Sequence, residues 1–292
     1  MKRKKQLRCP LCHAPLSSVL HTVKRIPIYE CGTCAIGVSS RTSKTKTSLY
    51  NSNQYYSFSI AQNRIEKYLW KFERILLVLR AYVKSGTILD VGTGFGLFPR
   101  LLSTHKSYSV IGLEPHLKPL FVERNQRVTI IKKPFMRYHR KPRSLTAVTM
   151  FDVLEHFSDP IVVLKKAYGL LKKNGYIFLL VPNYQSVMRH LSQNWPWWMI
   201  EDHYVHFSRA SLKKALRISG FQVEYIESFE HTDDVWIQMR GRFQHIHNPV
   251  LRKGLKLFTL APLYGLYLMF RPLIWRLYGG GLLFVVAKKH HA

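Results

Sequence analysis

A chain of 292 residues that is 47% hydrophobic is long enough for one full α/β core with a small unit beside it. Its Lys+Arg 45 against Asp+Glu 16 give a formal net charge of +29, which directs the surface toward polyanions: nucleic acid, anionic lipid or sugar phosphate. The basic residues are scattered rather than blocked, so a general compositional bias of the source explains the same number.

The 4 cysteines all fall within the first 34 residues, in two close pairs, which excludes the disulfide framework of a small secreted domain. No apolar signal region precedes Cys9, and the expected setting is reducing and cytoplasmic. Cys9-Pro10-Leu11-Cys12 and Cys31-Gly32-Thr33-Cys34 have the spacing of a zinc ribbon over residues 1–40. Two thiolates spaced by two residues can point at one ion from a tight turn, and two such turns complete a tetrahedron. Four thiolates leave no open coordination position, so the expected Zn2+ is structural. Thr22–Ile28 and Ile28–Glu30 supply strand material for the hairpin between the pairs.

Residues 41–58 read as a polar linker, with Tyr50, Tyr55 and Tyr56 near its end. Ile65, Tyr68, Leu69, Phe72, Ile75, Leu76 and Leu79 recur at helical spacing, with Gly86 where a C-cap would fall. From Thr87 strands and helices alternate. Strands are expected at Ile88–Val91, Val110–Leu113, Val128–Ile131, Leu145–Met150 and Tyr176–Val181. Asp159-Pro160 opens a helix whose apolar face is Ile161, Leu164, Tyr168 and Leu171, and Asn174-Gly175 stops it. Ser208 caps a further helix ending at Gly220, followed by a strand over Phe221–Phe229 and a last strand over Leu282–Ala287. Continuous apolar strands between helices indicate a mostly parallel sheet covered on both faces.

The turn Asp90-Val91-Gly92-Thr93-Gly94-Phe95-Gly96 lies between a strand and a helix, where a nucleotide can approach the backbone. A pyrophosphate fingerprint would need glycine at position 97, which is Leu97. Asp90 would sit badly beside pyrophosphate but suits a ligand bearing an ammonium and a sulfonium. Glu114 ends the next strand, where a carboxylate can accept both ribose hydroxyls. The combination favours S-adenosylmethionine over NAD.

Together with Phe151–His156, Leu171–Gly175 and Val181-Pro182-Asn183, these segments resemble the class I S-adenosylmethionine-dependent methyltransferases. The cysteine pairs and Tyr50, Tyr55 and Tyr56 are similar to those of a bacterial subgroup with an N-terminal zinc ribbon. The resemblance implies a Rossmann-like seven-stranded sheet over residues 59–292 with an antiparallel last strand. It implies that the turn at Gly92, Gly94 and Gly96 holds the methionine end of the cofactor, and Glu114 its ribose. The region after the third strand, Lys132 to Met136, departs from the family by lacking the polar group that meets adenine. Leu145 stands where the family commonly has Asp.

Asp152, Glu155 and His156 fall at i, i+3 and i+4 and would share one face of a helical turn at the carboxyl edge of the sheet. They are candidates for contacting the cofactor, through Asp152, for catalysis, through Glu155 and His156, or for holding a divalent cation. The arrangement resembles the Glu-x-x-Glu-His motif of ubiquinone-pathway O-methyltransferases. The bland alternative is a trio that caps the turn. His203, in the loop after the fifth strand, is a candidate general base. For His203 and His206 the alternative is a hydrogen bond to the cap at Ser208. Trp195, Trp197 and Trp198 form either a stacking surface or a packed loop.

Residues 230–279 interrupt the rhythm as an apolar helical insertion. Leu257–Phe270 is too short, and too interrupted by Pro262 and Pro272, for a membrane span. One or two interfacial helices over 250–279, with basic residues at the ends, would bring the protein to the inner face of an anionic membrane. A pair of helices capping the site is the alternative. The function expected from sequence is methyl transfer, to oxygen, on a small-molecule, glycan or lipid-linked acceptor. RNA is the second acceptor class, supported by charge and ribbon but by no recognisable RNA-binding module. A protein that binds the cofactor without turnover is the third reading.

Overall fold

The computed structural model describes residues 6–40, 58–116, 127–191, 195–241 and 246–290. Most of the expected linker, with Tyr50, Tyr55 and Tyr56, lies outside the described residues.

The cysteine-rich segment folds as β1 (Ser18–Val23), β2 (Ile26–Cys31) and β3 (Ile36–Ser39), an antiparallel meander. The first hairpin turns at Lys24 and Arg25, both with positive φ. The strand break therefore falls there and not at Ile28, which is fully buried in mid-strand. The meander is not free-standing. Its β3 pairs with a two-residue strand far along the chain, β9 (Val205–His206), with Gly37 opposite His206 and Val38 opposite Val205.

The central sheet has seven strands in the order β10-β11-β8-β7-β4-β5-β6. They are β4 (Gly86–Val91), β5 (Tyr108–Leu113), β6 (Val128–Ile131), β7 (Leu145–Phe151), β8 (Leu171–Pro182), β10 (Phe221–Phe229) and β11 (Leu282–Lys289). Strands β6, β5, β4, β7 and β8 run parallel, and β11 inserts antiparallel between β8 and β10. This is a Rossmann-like, mostly parallel sheet. One face packs on α1 (Phe58–Tyr82), through Ile75 and Leu79, and on α2 (Leu97–Ser103), through Phe98 and Leu102. The other packs on α3 (Pro160–Leu170) and α5 (Arg209–Ile218), whose Leu164, Ala167, Leu212 and Leu216 meet Leu89, Val148 and Leu179.

Element boundaries follow local chemistry. Asp159 caps α3 by accepting from the amides of Ile161 and Val162, and Ser208 forms a reciprocal cap with Ser211 at the start of α5. Two expected boundaries move. Gly86 opens β4 instead of capping α1, its amide bonding back to Ser107. Helix α3 stops at Leu170, because Leu171 is already extended and pairs with Leu145; the buried face is Val163, Leu164, Ala167 and Leu170.

The described part of residues 230–279 is mainly helical: α6 (Thr232–Gly241), then α7 (Pro249–Leu255), a π segment over Lys256–Leu260 and α8 (Ala261–Arg276). The last three form one continuous helix, Pro249–Arg276, of 28 residues. The expected interruption at the prolines does not occur. Pro262 follows directly on the π segment at the start of α8, and Pro272 is accommodated near its end.

Candidate functional site

In an open α/β sheet the place for a ligand is outside the carboxyl ends of the strands, where strand order reverses. Here that point is β4, flanked by β5 on one side and β7 on the other. A cavity of about 410 Å³ opens there, lined by Gly92, Thr93, Gly94, Glu114, Phe135 and Asp152 among others.

The turn after β4 explains its glycines. Gly94 has φ +56°, and a Cβ added there would meet nothing within 4 Å, because it would project into open space at the cavity. Gly92 has φ +74°, and its Cβ would lie 2.4 Å from Val153 Cγ2. The Gly94 amide donates to Glu114 Oε2 at 2.8 Å and the His116 amide to Oε1 at 3.1 Å. Both carboxylate oxygens are thereby fixed at the mouth of β5, each with a lone pair remaining for a hydroxyl. Gly96 caps α2 and lies outside the cavity lining.

Asp90 differs from expectation. Its buried carboxyl accepts a 2.6 Å hydrogen bond from Thr149 Oγ1 beneath the turn, and it does not line the cavity. Burial pushes its pKa up to about 7. At the other end, Pro115, Pro134 and Phe135 supply apolar wall where a planar base can lie. Phe135 is set there by a short 3-10 turn after β6.

A second cavity of about 120 Å³ adjoins the first, the two sharing Tyr68, Lys71, Asp152 and His156. The expected face of Asp152, Glu155 and His156 is not formed. Asp152 adopts φ +56° at the end of β7, and Leu154–His156 is a 3-10 turn, so the i, i+3, i+4 geometry of an α-helix does not apply. Asp152 turns to Lys71 Nζ at 2.7 Å. Burial is the largest influence on Lys71 and disfavours its ammonium, but Asp152, Tyr68 and Asp234 together outweigh it and the net shift is upward.

The trio that converges is Glu155, His156 and His203, with one ligand-capable atom of each within 4.8 Å of the others. Glu155 is 1% exposed, and neither carboxylate oxygen meets a hydrogen-bond donor beyond its own backbone amide. Burial, then the neighbouring Asp152, raises its pKa well above the ordinary carboxylate value. The rings of His156 and His203 stand edge to face, with centroids 4.8 Å apart. Each Nδ1 lies within hydrogen-bond distance of a carbonyl oxygen, Asp202 O at 3.1 Å for His156 and Trp197 O at 2.9 Å for His203. A carbonyl only accepts, so both Nδ1 atoms carry the proton. Burial holds both pKa values below the usual range, which makes Nε2 the unprotonated nitrogen of each ring.

His206 is buried away from this cavity, its Nε2 2.9 Å from Ser39 Oγ on β3. Ser39, not the cap at Ser208, is the partner of His206. Trp195 and Trp198 pack with Ile28, Tyr184 and Ile200 under the first hairpin, whereas Trp197 lines the second cavity. At the N-terminal end the thiols of Cys9, Cys12, Cys31 and Cys34 converge, all Sγ within 4.8 Å and Cys12 3.6 Å from Cys31. The amide of Leu11 points at Cys9 Sγ, at 3.4 Å.

Residues 61–226 match the family described as a methyltransferase domain. The chain belongs to that family. Among curated proteins it is similar to the ubiquinone biosynthesis O-methyltransferase of Pseudomonas paraeruginosa, 29% identical over 111 residues, 36% of this chain and 47% of that protein. The same enzyme of Vibrio cholerae is 28% identical over 103 residues, 33% of this chain and 42% of that protein. The chain thus spans about half the length of the curated relatives it matches. Among solved structures, a chain of the complex between the Haloferax volcanii Trm112 methyltransferase activator and a methyltransferase superposes with a TM-score of 0.57. It has 17% identity, over 82% of this chain and 97% of that one. The [4+2]-cyclase SpnF gives 0.51 at 14% identity, over 75% and 81%. These two share the fold.

S-adenosylmethionine is the cofactor this family implies, and the larger cavity fits it. The open cradle at Gly94 admits the methionine end, the fixed Glu114 carboxylate can accept ribose hydroxyls, and the wall at Phe135 suits adenine. Sequence reasoning missed Lys71 and Phe135. Lys71 carried a signal: it sits beside Phe72 and one turn before Ile75, on the apolar side of an amphipathic helix.

Proposed function

We propose that the protein is an S-adenosylmethionine-dependent methyltransferase acting on an oxygen of a small-molecule, glycan or lipid-linked acceptor. The observation that carries this reading is the second cavity, which adjoins the cofactor cavity and contains a buried carboxylate with no donor from another residue. When bound, S-adenosylmethionine supplies an already activated methyl group, so the residues of this chain align the acceptor and take its proton. An acceptor hydroxyl in the second cavity donates to Glu155, ending the isolation of that carboxylate. Its raised pKa suits it to receive the proton as the new C–O bond forms. His203 Nε2 is the second acceptor of a hydrogen bond from the substrate, with the ring held by Trp197 O. Lys71 and Asp152 form the shared wall and separate the two cavities by a neutralised pair.

A divalent cation held by Glu155, His156 and His203 is the second reading, because both imidazoles donate through Nδ1 to a carbonyl, the arrangement that presents Nε2 to a metal. Dialysis against a chelator separates the two: the base reading expects turnover to survive, and the cation reading expects it to vanish and return with Mg2+ or Mn2+.

The four thiolates suit one structural zinc ion, which would complete a ribbon of β1, β2 and β3. Their convergence in a tetrad and the paired Cys-x-x-Cys turns support it. The deciding experiment for the function is incubation with methyl-labelled cofactor and fractionated cell extract. Label entering a glycan, lipid or small-molecule fraction supports the proposal. Label entering RNA, with affinity that falls steeply with salt, replaces it with the nucleic-acid reading.

A further inference from the structure

Among the described residues, the continuous helix Pro249–Arg276 is unlike every other helix in what it shows to solvent. It is roughly 42 Å long at 1.5 Å per residue, and its most apolar 18-residue stretch has a mean hydropathy of 1.4 and is only 12% buried. Phe258 is 78% exposed, Met269 63% and Leu273 53%. Between Ala261 and Arg276 the sole exposed charged side chain is Arg276, at the last position. A stripe of Pro262, Leu266, Met269 and Leu273, at steps of four, three and four, forms the centre of the outward face. Surface of this extent needs a partner.

The inward face is tied down. Tyr267 Oη donates to Glu230 Oε1 at 2.6 Å, and Ser228 Oγ donates to Trp275 O at 3.0 Å. Tyr264 stacks edge-on against Trp236 of α6 at 5.3 Å. A helix bonded along one side to β10 and α6 cannot cross a bilayer without breaking these contacts, so it meets lipid sideways. The charge of the chain decides between lipid and a second copy. Two molecules each carrying +29 repel, whereas the same charge is drawn to anionic headgroups. Lys253 and Arg276 stand exposed at the two ends of the apolar stretch, where headgroups would lie.

The same contacts lead to the site. Glu230 adjoins His231, and His231 with Asp234 of α6 lines the second cavity, where Asp234 also pairs with Lys67 of α1. We propose that the outward face of Pro249–Arg276 docks in the interfacial plane of an anionic lipid bilayer. Docking holds the acceptor cavity beside the headgroups. This last step rests on the methyltransferase reading of the site; the docking itself does not.

The test is flotation of the full-length, zinc-loaded protein with phosphatidylcholine vesicles, with and without phosphatidylglycerol, in the absence of cofactor. Binding to the anionic vesicles is expected, with roughly tenfold or greater loss in a Leu266→Glu/Met269→Glu variant whose melting temperature is unchanged. A charge-matched control, Leu77→Glu/Val162→Glu, alters exposed apolar positions on α1 and α3 and is expected to bind as the parent does. Absence of binding, or equal loss in both variants, overturns the proposal, the latter by reducing the attraction to bulk charge. A concentration-dependent dimer in sedimentation, abolished by Leu266→Glu/Met269→Glu alone, overturns it in favour of a second copy. Since no cofactor is present, none of these outcomes bears on methyl transfer.

Discussion

The two ends of the chain meet the rest of the fold in opposite ways. The N-terminal cysteine segment, expected from sequence as a separate ribbon ahead of a linker, is bound into the candidate site. Strand β3 pairs with β9, Ser39 lies against His206, Ser208 Oγ donates to Ala35 O, and Tyr184 Oη donates to Glu30. Strand β9 begins two residues after His203. The C-terminal helical segment, expected as interfacial helices or as a cap over the site, is tied down on one side only, and among the described residues its outward face is exposed. A short segment rich in polar contacts is therefore the structural buttress of the site, and a long apolar one is its exterior.

With zinc in the cysteine tetrad, as proposed above, its removal is the severest way to break this contrast. Cys31→Ser, or stripping with a strong chelator, should cost about 10 kcal/mol of apparent metal-linked folding free energy and abolish turnover. Hydrogen exchange at Val205–Phe207 should accelerate with the loss. If those amides stay protected in the stripped protein, the segment is a module after all.

Within the site, Glu155→Gln should lower kcat roughly a hundredfold to ten-thousandfold with cofactor affinity intact, as read by steady-state kinetics and calorimetry. The pH profile gives an independent check. Glu155 accepts a proton only when ionised, and its pKa is raised, so kcat should climb with pH through a limb above the ordinary carboxylate range. Burial and the neighbouring His156 and His206 lower the His203 pKa, so any limb from that ring falls below the ordinary imidazole range. The Glu155 limb should disappear in the Gln variant.

A smaller effect is expected at the wall between the cavities. Lys71→Met leaves the partly exposed Asp152 carboxylate without its ion-pair partner, at about 1 kcal/mol of stability, visible as a lower urea midpoint. Smallest of all, Leu273→Asp on the outward face of α8 should change stability by less than about 0.5 kcal/mol. A large loss there would mean that the face is packed against something in solution.

The sheet and the cofactor turn were legible because their signals are local. Ile88–Val91, the glycine spacing and Glu114 lie within one βαβ unit, and Asp159, Ser208 and Gly220 announce their own boundaries. What escaped depends on distant contacts or on single backbone angles. Nothing near Gly37 foretells its pairing with His206, and nothing near His203 foretells that it meets Glu155 and His156. Asp152 left the expected trio through one positive φ, which no periodicity encodes. Pro262 and Pro272 argued for a break, but one follows directly on the π segment and the other is accommodated near the end of α8.

The central claim is that the cavity at Gly94 and Glu114 binds S-adenosylmethionine. Isothermal titration of the zinc-loaded, full-length protein tests it most directly. The account predicts one binding event per chain for S-adenosylmethionine, weakened about tenfold or more by Glu114→Gln, with no binding of NAD. No heat with S-adenosylmethionine, or binding unaffected by Glu114→Gln, would contradict it.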